Sequence, residues 1–287
     1  MTVTGALDTL VVERRDGIVT VTMNRPAKKN AATETMWREL AETFTHIAGR
    51  AEDRVVVLTG AGGDFCSGAD LSSRGAEGGR GEGDRGEGGR GEGDRGGGGR
   101  DAGGGALERM RRVNASCLAL HRLPQPTIAK VRGVAVGAGC NLALGCDLVV
   151  AAEGARFSEI FARRGLSLDY GGSWVLPRRV GLHRANELAL LAEIVGAAAA
   201  AAMGLVNRVL PDAELDAFVD DWARRLAAGP PLALAASKRL LQDSLGSSLE
   251  EALEAEAEAQ VRNFASADTA EAMRAFLEKR EPRFTGR

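Results

Sequence analysis

Residues Ile128 to Ala151 read IAKVRGVAVGAGCNLALGCDLVVA. A short strand-like run, Ile128 to Val131, is followed by a turn of small residues from Gly133. A small, apolar segment, Val136 to Leu144, comes next, and then a second aliphatic run, Leu148 to Ala151. Short apolar runs bounded by glycine suit strands buried on both faces, and the segment between them suits a helix packed closely on its neighbours. Strand, helix and strand in that order predict a parallel pair joined by a crossover.

The same pattern extends upstream. Leu10 to Arg14 and Ile18 to Met23 flank Asp16-Gly17, the signature of a tight hairpin, and Asn24-Arg25-Pro26 breaks the second strand. Thr33 to Arg50 is helical in period, with Met36, Leu40, Phe44 and Ile47 on one face. Val55 to Thr59 is a short apolar strand ending in Gly60-Ala61-Gly62-Gly63. Leu107 to Leu123 is a helix stopped by Pro124-Gln125-Pro126. Downstream the character changes. Asp212 to Ala228, Leu232 to Leu245, Leu249 to Phe264 and Thr269 to Lys279 are amphipathic helices with little strand signal between them. The expectation is an α/β core over residues 1–205 and a helical region over 206–287, with more apolar helix face than one core covers and hence packing on another subunit.

One segment departs from this pattern. Residues 72–105 hold 17 Gly, six Arg and seven Asp plus Glu in 34 residues, and GGRGEGDRGE at Gly78 to Glu87 is nearly repeated as GGRGEGDRGG at Gly88 to Gly97. It offers too little apolar surface to offset its ordering entropy and is expected to be a disordered insertion. Its acidic residues neutralise the arginines and it has no aromatic side chain for base stacking, which speaks against an RNA-binding role. The whole chain has 37 Lys plus Arg against 39 Asp plus Glu, a formal net charge of -2, so no nucleic-acid partner is expected from bulk electrostatics.

No apolar run approaches the length of about 18 residues that a membrane span needs, and Met1 to Leu10 lacks a secretory layout. No membrane association is expected. Cys66, Cys117, Cys140 and Cys146 form no CxxC pair, so neither a disulfide framework nor a metal site is expected and a reducing, cytoplasmic location is the default. The glycine loop after Val55 to Thr59 has Phe65 where a dinucleotide fingerprint needs its third glycine, and no P-loop occurs. Gly171-Gly172-Ser173-Trp174-Val175 lacks the closing glycine of a nucleophile elbow, and His46, His121 and His183 lie in separate segments.

Two strands end in comparable turns, Phe65-Cys66-Ser67-Gly68-Ala69-Asp70 and Gly133-Val134-Ala135-Val136-Gly137-Ala138-Gly139-Cys140-Asn141. Small residues let backbone approach a ligand, and two N–H groups converging on one oxygen make an oxyanion hole. Tight packing of strand on helix would use the same small residues, and the turns alone do not decide between the two.

These residues resemble the enoyl-CoA hydratase/isomerase (crotonase) superfamily. Asn24-Arg25-Pro26 with Asn30-Ala31, Thr59-Gly60 through Asp70, and Lys130-Val131-Arg132-Gly133 through Cys146-Asp147 match its signatures in order. Phe157, Gly165, Gly171-Gly172, Leu176-Pro177-Arg178 and Gly181 continue in register. Ala202-Met203-Gly204-Leu205-Val206 and Ala275 to Arg280 follow, so that nearly the whole chain outside the insertion is covered. The resemblance implies a crotonase-like spiral of ββα units, an α/β fold, with a C-terminal helical trimerisation region. It also implies a homotrimer or hexamer, and a CoA thioester as substrate with no separate cofactor.

Carried over position by position, the resemblance makes Ala69 and Ala138 the residues whose N–H groups hold the thioester oxygen as it gains charge in an enolate. It puts Arg25, Ala27, Lys28, Gly68, Asp70, Phe276 and Lys279 along the bound CoA, the last two from a C-terminal helix and often across a subunit boundary. Asp70 is expected mainly to hold the first loop. Hydratases of the family use two glutamates; here those positions are Asn141 and Phe161, neither able to transfer a proton. In isomerases and aryl-CoA dehalogenases of the family an Asp at the position of Asp169 performs the chemistry. Near a thioester and apolar walls it should hold a proton more readily than usual, as a general base must. Glu159 is the reserve candidate, expected at the surface at a helix start.

The leading expectation is an enoyl-CoA double-bond isomerase that moves a proton with Asp169 alone. Hydration directed by Asp169 is the alternative enzyme reading, and a non-catalytic or RNA-binding homologue is the alternative from another class. Capping of a turn is the plain structural alternative for Asp169.

Overall fold

The computed structural model describes residues 3–70 and 98–287. The chain opens with β1 (Val3–Ala6), β2 (Leu10–Arg15) and β3 (Ile18–Met23), each antiparallel to the next. Asp16 and Gly17 both take positive φ, 52° and 80°, as a two-residue type I′ turn requires. Then follow α1 (Glu34–Ala48), β4 (Val55–Gly60), α2 (Gly98–His121), β5 (Thr127–Val131), β6 (Val134–Val136), α3 (Ala138–Leu144), β7 (Leu148–Ala152) and β8 (Arg156–Ser158). The rest is α4 (Gly172–Leu191), β9 (Val195–Gly196), α5 (Ala197–Ala202), β10 (Arg208–Leu210), α6 (Asp212–Ala228), α7 (Pro231–Asp243), α8 (Leu249–Phe264) and α9 (Ala267–Glu278).

A seven-stranded sheet has the order β1-β2-β3-β4-β5-β7-β10, and from β3 onward every pairing is parallel. A smaller sheet, β6-β8-β9, stands beside it. The alternation of side chains along β4 explains the layering. Val56 and Leu58 face the main core with Met36, Leu40 and Phe44 of α1, while Val55 and Val57 face a second core with Leu215, Val219 and Ala223 of α6. A strand buried on both faces must be apolar at every position, which is why Val55 to Thr59 lacks an alternating pattern.

Several boundaries differ from the sequence reading. The segment Val136 to Leu144 is not one helix: β6 ends at Val136 and α3 starts at Ala138, because Gly137 adopts φ 55° and ψ −126°, which no helix contains. Helix α2 begins at Gly98 rather than Leu107, so residues 98–105 extend a helix instead of ending the insertion. Elongating an existing helix adds one hydrogen bond per residue fixed and escapes the cost of nucleation, which offsets poor glycine propensity. The expected disorder of 72–97 and its repeat lie outside the described residues. The helix expected over Leu232 to Leu245 ends at Asp243, where a 3-10 turn, Ser244–Gly246, takes over.

The C-terminal helices cover little of their apolar surface. Ala259 is the buried residue of α8 and Asp268 and Ala275 those of α9, while Leu249, Leu253, Val261, Phe264, Met273, Phe276 and Leu277 are all more than half exposed. No helix among the described residues is long and apolar enough to cross a membrane.

Candidate active site

Two loops that follow parallel strands are drawn together at the C-terminal edge of the sheet. The first leaves β4 at Gly60, where a Cβ would sit 2.2 Å from the Asp64 carbonyl, so only glycine fits. Asn30, itself at φ 55°, fastens this loop: its amide donates to the carbonyls of Ala61 (2.9 Å) and Asp64 (2.6 Å) and its Oδ1 accepts from Arg25 N–H (2.9 Å). Cys66 pairs in parallel with Ala135, its N–H donating to Val134 (2.9 Å) and its carbonyl accepting from Val136 (3.0 Å). Through that bridge the first loop is held against β6 and the turn into α3.

The approach is close. A Cβ on Gly139 would meet the Cys66 carbonyl at 2.4 Å, and one on Gly68 would lie 2.8 Å from the Val136 carbonyl and 3.9 Å from Ala138 N. Ala69 forms a parallel bridge with Ala32, in which Ala32 donates to Gly68 and accepts from Asp70. The N–H of Ala69 therefore points to the opposite side of the strand. Ala138 is the first residue of α3, so its N–H belongs to the unpaired first turn.

Asp169 completes the group. With Ala69, Ala138 and Leu166 it lines both a narrow cavity of about 140 Å³, floored by Phe161, and an adjoining cavity of about 640 Å³ walled by Trp37, Met110 and Val113. The loop that carries Asp169 is anchored by its neighbour. Tyr170 is buried at φ 49°, its hydroxyl accepts from Ser116 Oγ (3.1 Å) and its ring packs on Trp37 with centroids 4.8 Å apart. The Asp169 carbonyl accepts from Gly172 N–H (3.0 Å) and from the Asn141 amide (2.9 Å). Its charge is felt nearby: the Cys117 thiol is pushed up to about 11 by burial and, secondly, by Asp169.

The residues carried over for CoA divide into three groups. Gly68 is in the first loop, and Ala27 and Lys28 lie in a 3-10 turn, Pro26–Lys28, tied to that loop by Ser67, which donates to the Lys29 carbonyl through N–H (3.0 Å) and to the Lys28 carbonyl through Oγ (3.3 Å). Arg25 and Asp70 pair with each other at 2.9 Å, Arg25 also donates to the Ala31 carbonyl, and Asp70 lines the larger cavity. Phe276, 81% exposed on α9, and Lys279, which ends that helix at φ 54°, line neither of the two cavities.

Glu159 corrects the expectation of a surface residue, since it is only 1% exposed. It heads a 3-10 turn, Ile160–Arg164, that packs under Gly137, and its Oε2 accepts from the Asn141 amide at 3.3 Å. Burial pushes its carboxyl up to about 7, hydrogen bonds from Cys140 and Asn141 oppose the shift, and the Asp169 charge adds to it. The sequence reading also passed over Trp37, Met110 and Val113 as cavity walls; the signal available was their place on the core-facing sides of α1 and α2.

The pattern of the family described as Enoyl-CoA hydratase/isomerase matches residues 13–88 and 106–287. A Rhodobacter capsulatus protein named probable enoyl-CoA hydratase is 40% identical over 281 residues, 97% of this chain and 98% of its own. The 1,2-epoxyphenylacetyl-CoA isomerase of Escherichia coli is 36% identical, over 94% of this chain and 96% of its own. The crystal structure of an enoyl-CoA hydratase from Bacillus anthracis superimposes with a TM-score of 0.83 at 28% identity, covering 100% of this chain and 99% of that one.

Proposed function

This chain belongs to the enoyl-CoA hydratase/isomerase family, whose members act on CoA thioesters, and from that premise we propose that it is an enoyl-CoA double-bond isomerase with Asp169 as its single base. The observation that carries the reading is that Asp169 lines both cavities together with Ala69 and Ala138, while the two positions that hold glutamates in hydratases are Asn141 and Phe161. The similarity to a protein named as an isomerase supports it.

In this reading the thioester carbonyl oxygen sits between the N–H groups of Ala69 and Ala138. The Asp169 carboxylate removes a proton from C2 of a 3-enoyl-CoA. The C3=C4 electrons are conjugated with the resulting enolate, and the negative charge gathers on the thioester oxygen. Fixed donors stabilise that charge without reorganising; one such donor is worth about 3 kcal/mol in comparable sites. Asp169 then returns its proton to C4, the double bond lies between C2 and C3, and no water is consumed. Trp37, Met110 and Val113 supply an apolar wall for the acyl chain.

The proposal extends to assembly. The exposed apolar residues of α8 and α9 suit a homotrimer or a pair of trimers, in which Phe276 and Lys279 reach the CoA of a neighbouring subunit.

The test compares wild type with Asp169→Asn on a 3-enoyl-CoA and on a trans-2-enoyl-CoA, with products separated by chromatography. The expected result is 2-enoyl-CoA from the first substrate with wild type and loss of that conversion in the variant. Formation of 3-hydroxyacyl-CoA alone, or full activity in the variant, overturns the reading in favour of hydration with another acid.

A further inference from the structure

Behind the cavities lies a buried polar cluster that the chemistry above does not use. One nitrogen, Nδ2 of Asn141, donates to both the Asp169 carbonyl (2.9 Å) and Glu159 Oε2 (3.3 Å), so that both its hydrogens are engaged. The carboxamide cannot swing away, because a Cβ on Gly172 would lie 2.4 Å from that nitrogen and the N-terminus of α4 rests on it. On the far side of the cluster, Glu159 Oε1 and Asn141 Oδ1 are buried without a hydrogen bond among the described residues. A carboxyl group in such a place is a stability cost that an apolar side chain of similar volume would not carry.

We infer that Glu159 is a positioning residue for Asp169: it anchors the Asn141 amide that holds the Asp169 carbonyl at the cavity wall. This inference rests on the reading of Asp169 as the base.

The consequence is geometric. The Asp169 loop is fixed at its carbonyl by Gly172 N–H and Asn141, and Glu159 restricts the rotation of the Asn141 side chain that makes the second bond. A base displaced by a fraction of an ångström loses much of its advantage in proton transfer. The anchor needs an oxygen acceptor and not a charge, since the Asn141 amide donates to a carboxyl or a carboxamide oxygen alike.

The experiment uses the full chain and a 3-enoyl-CoA, comparing wild type, Glu159→Met, Glu159→Gln, Asn141→Ala and the double variant of Glu159→Met with Asn141→Ala. Methionine keeps the length of the side chain but offers Asn141 no oxygen, so for Glu159→Met kcat is expected to fall about 10-fold with KM within about twofold. Glutamine restores an acceptor oxygen, and Glu159→Gln is expected to recover most of the wild-type kcat. Asn141→Ala is expected to lose at least as much kcat as Glu159→Met, and the double variant no more than Asn141→Ala alone, as for residues acting through one another. A folded Glu159→Met protein with wild-type kcat overturns the inference, and so do additive losses in the double variant. Should the Met variant not fold, Glu159→Ala, which removes the acceptor without adding volume, takes its place with the same expected and overturning results. Asp169→Asn also separates the two readings: full activity there removes the base itself, whereas activity lost there and untouched by Glu159→Met removes only the positioning role.

Discussion

The side-chain amide of Asn141 donates to the backbone carbonyl of Asp169 at 2.9 Å. The asparagine thus fixes the loop that carries the Asp169 carboxyl. Asn141→Asp keeps the volume but replaces the donor with a charged acceptor, against both the Asp169 carbonyl and Glu159. Leaving a buried acceptor without its donor costs about 1–3 kcal/mol, before any repulsion between the two carboxyls. Thermal melts at neutral pH are expected to show a Tm lower by at least about 4 °C, and isomerase kcat a drop of about tenfold or more. A wild-type Tm and kcat would mean that the carbonyl is held well enough by Gly172 alone.

Gly139 is where the two loops touch. A Cβ there would overlap the Cys66 carbonyl at 2.4 Å and its Cβ at 2.8 Å, and the carbonyl belongs to backbone that is bonded to Val136. Gly139→Ala must therefore push the loops apart, at about 1–3 kcal/mol of overpacking, and widen the gap between the Ala69 and Ala138 N–H groups. Misplacement on that scale is expected to lower kcat about 100-fold. Gly154→Ala is the control, since nothing lies within 4 Å of a Cβ there, and its kcat should equal that of wild type.

Arg25 and Asp70 were both expected along the CoA, and the structure joins them in an ion pair whose side chains are only 23% and 10% exposed. The pair ties the Pro26 turn to the end of the first loop. Arg25→Ala and Asp70→Ala are expected to cause similar losses in kcat/KM, with the double variant close to either single one. Free CoA, measured by calorimetry, should bind within about twofold of wild type in all three. A selective loss of CoA affinity in Arg25→Ala would instead make its guanidinium a phosphate ligand.

What could be read from the sequence is what short-range patterns encode. Asp16-Gly17 announced its turn because both residues tolerate positive φ, and the unbroken run Val55 to Thr59 announced a strand with a core on each side. The trio Ala69, Ala138 and Asp169 was reached through ordered motifs, and the structure brings the three to shared cavities. Glu159 was misread because its burial is a tertiary property. In Phe157-Ser158-Glu159 it looks like a polar helix start, and the residues that hold it, Cys140 and Asn141, lie 19 and 18 residues upstream. The pairing of Arg25 with Asp70 was hidden for the same reason. Phe276 and Lys279 illustrate a different limit, since motif order placed them along the substrate while α9 lines neither cavity within this chain.

Glu159 also gives the protein a signed dependence of stability on pH. Its folded value, pushed up to about 7 chiefly by burial, exceeds the ordinary value of 4.5, so between the two the folded protein binds the proton that the unfolded chain has released. Stability then falls as pH rises through that window and levels off above about 7, a penalty of up to about 3 kcal/mol when the shift is counted at 1.4 kcal/mol per unit. Glutamine at this position cannot ionise and escapes the penalty. Urea unfolding at pH 5 and pH 8 is therefore expected to show Glu159→Gln gaining stability relative to wild type by about 1–3 kcal/mol on going to the higher pH. Asp169 adds to the effect, and in Asp169→Asn the wild-type loss between the two pH values should shrink. A difference between Glu159→Gln and wild type that stays constant from pH 5 to pH 8 would show that Glu159 ionises as freely in the fold as in the unfolded chain, which its burial forbids.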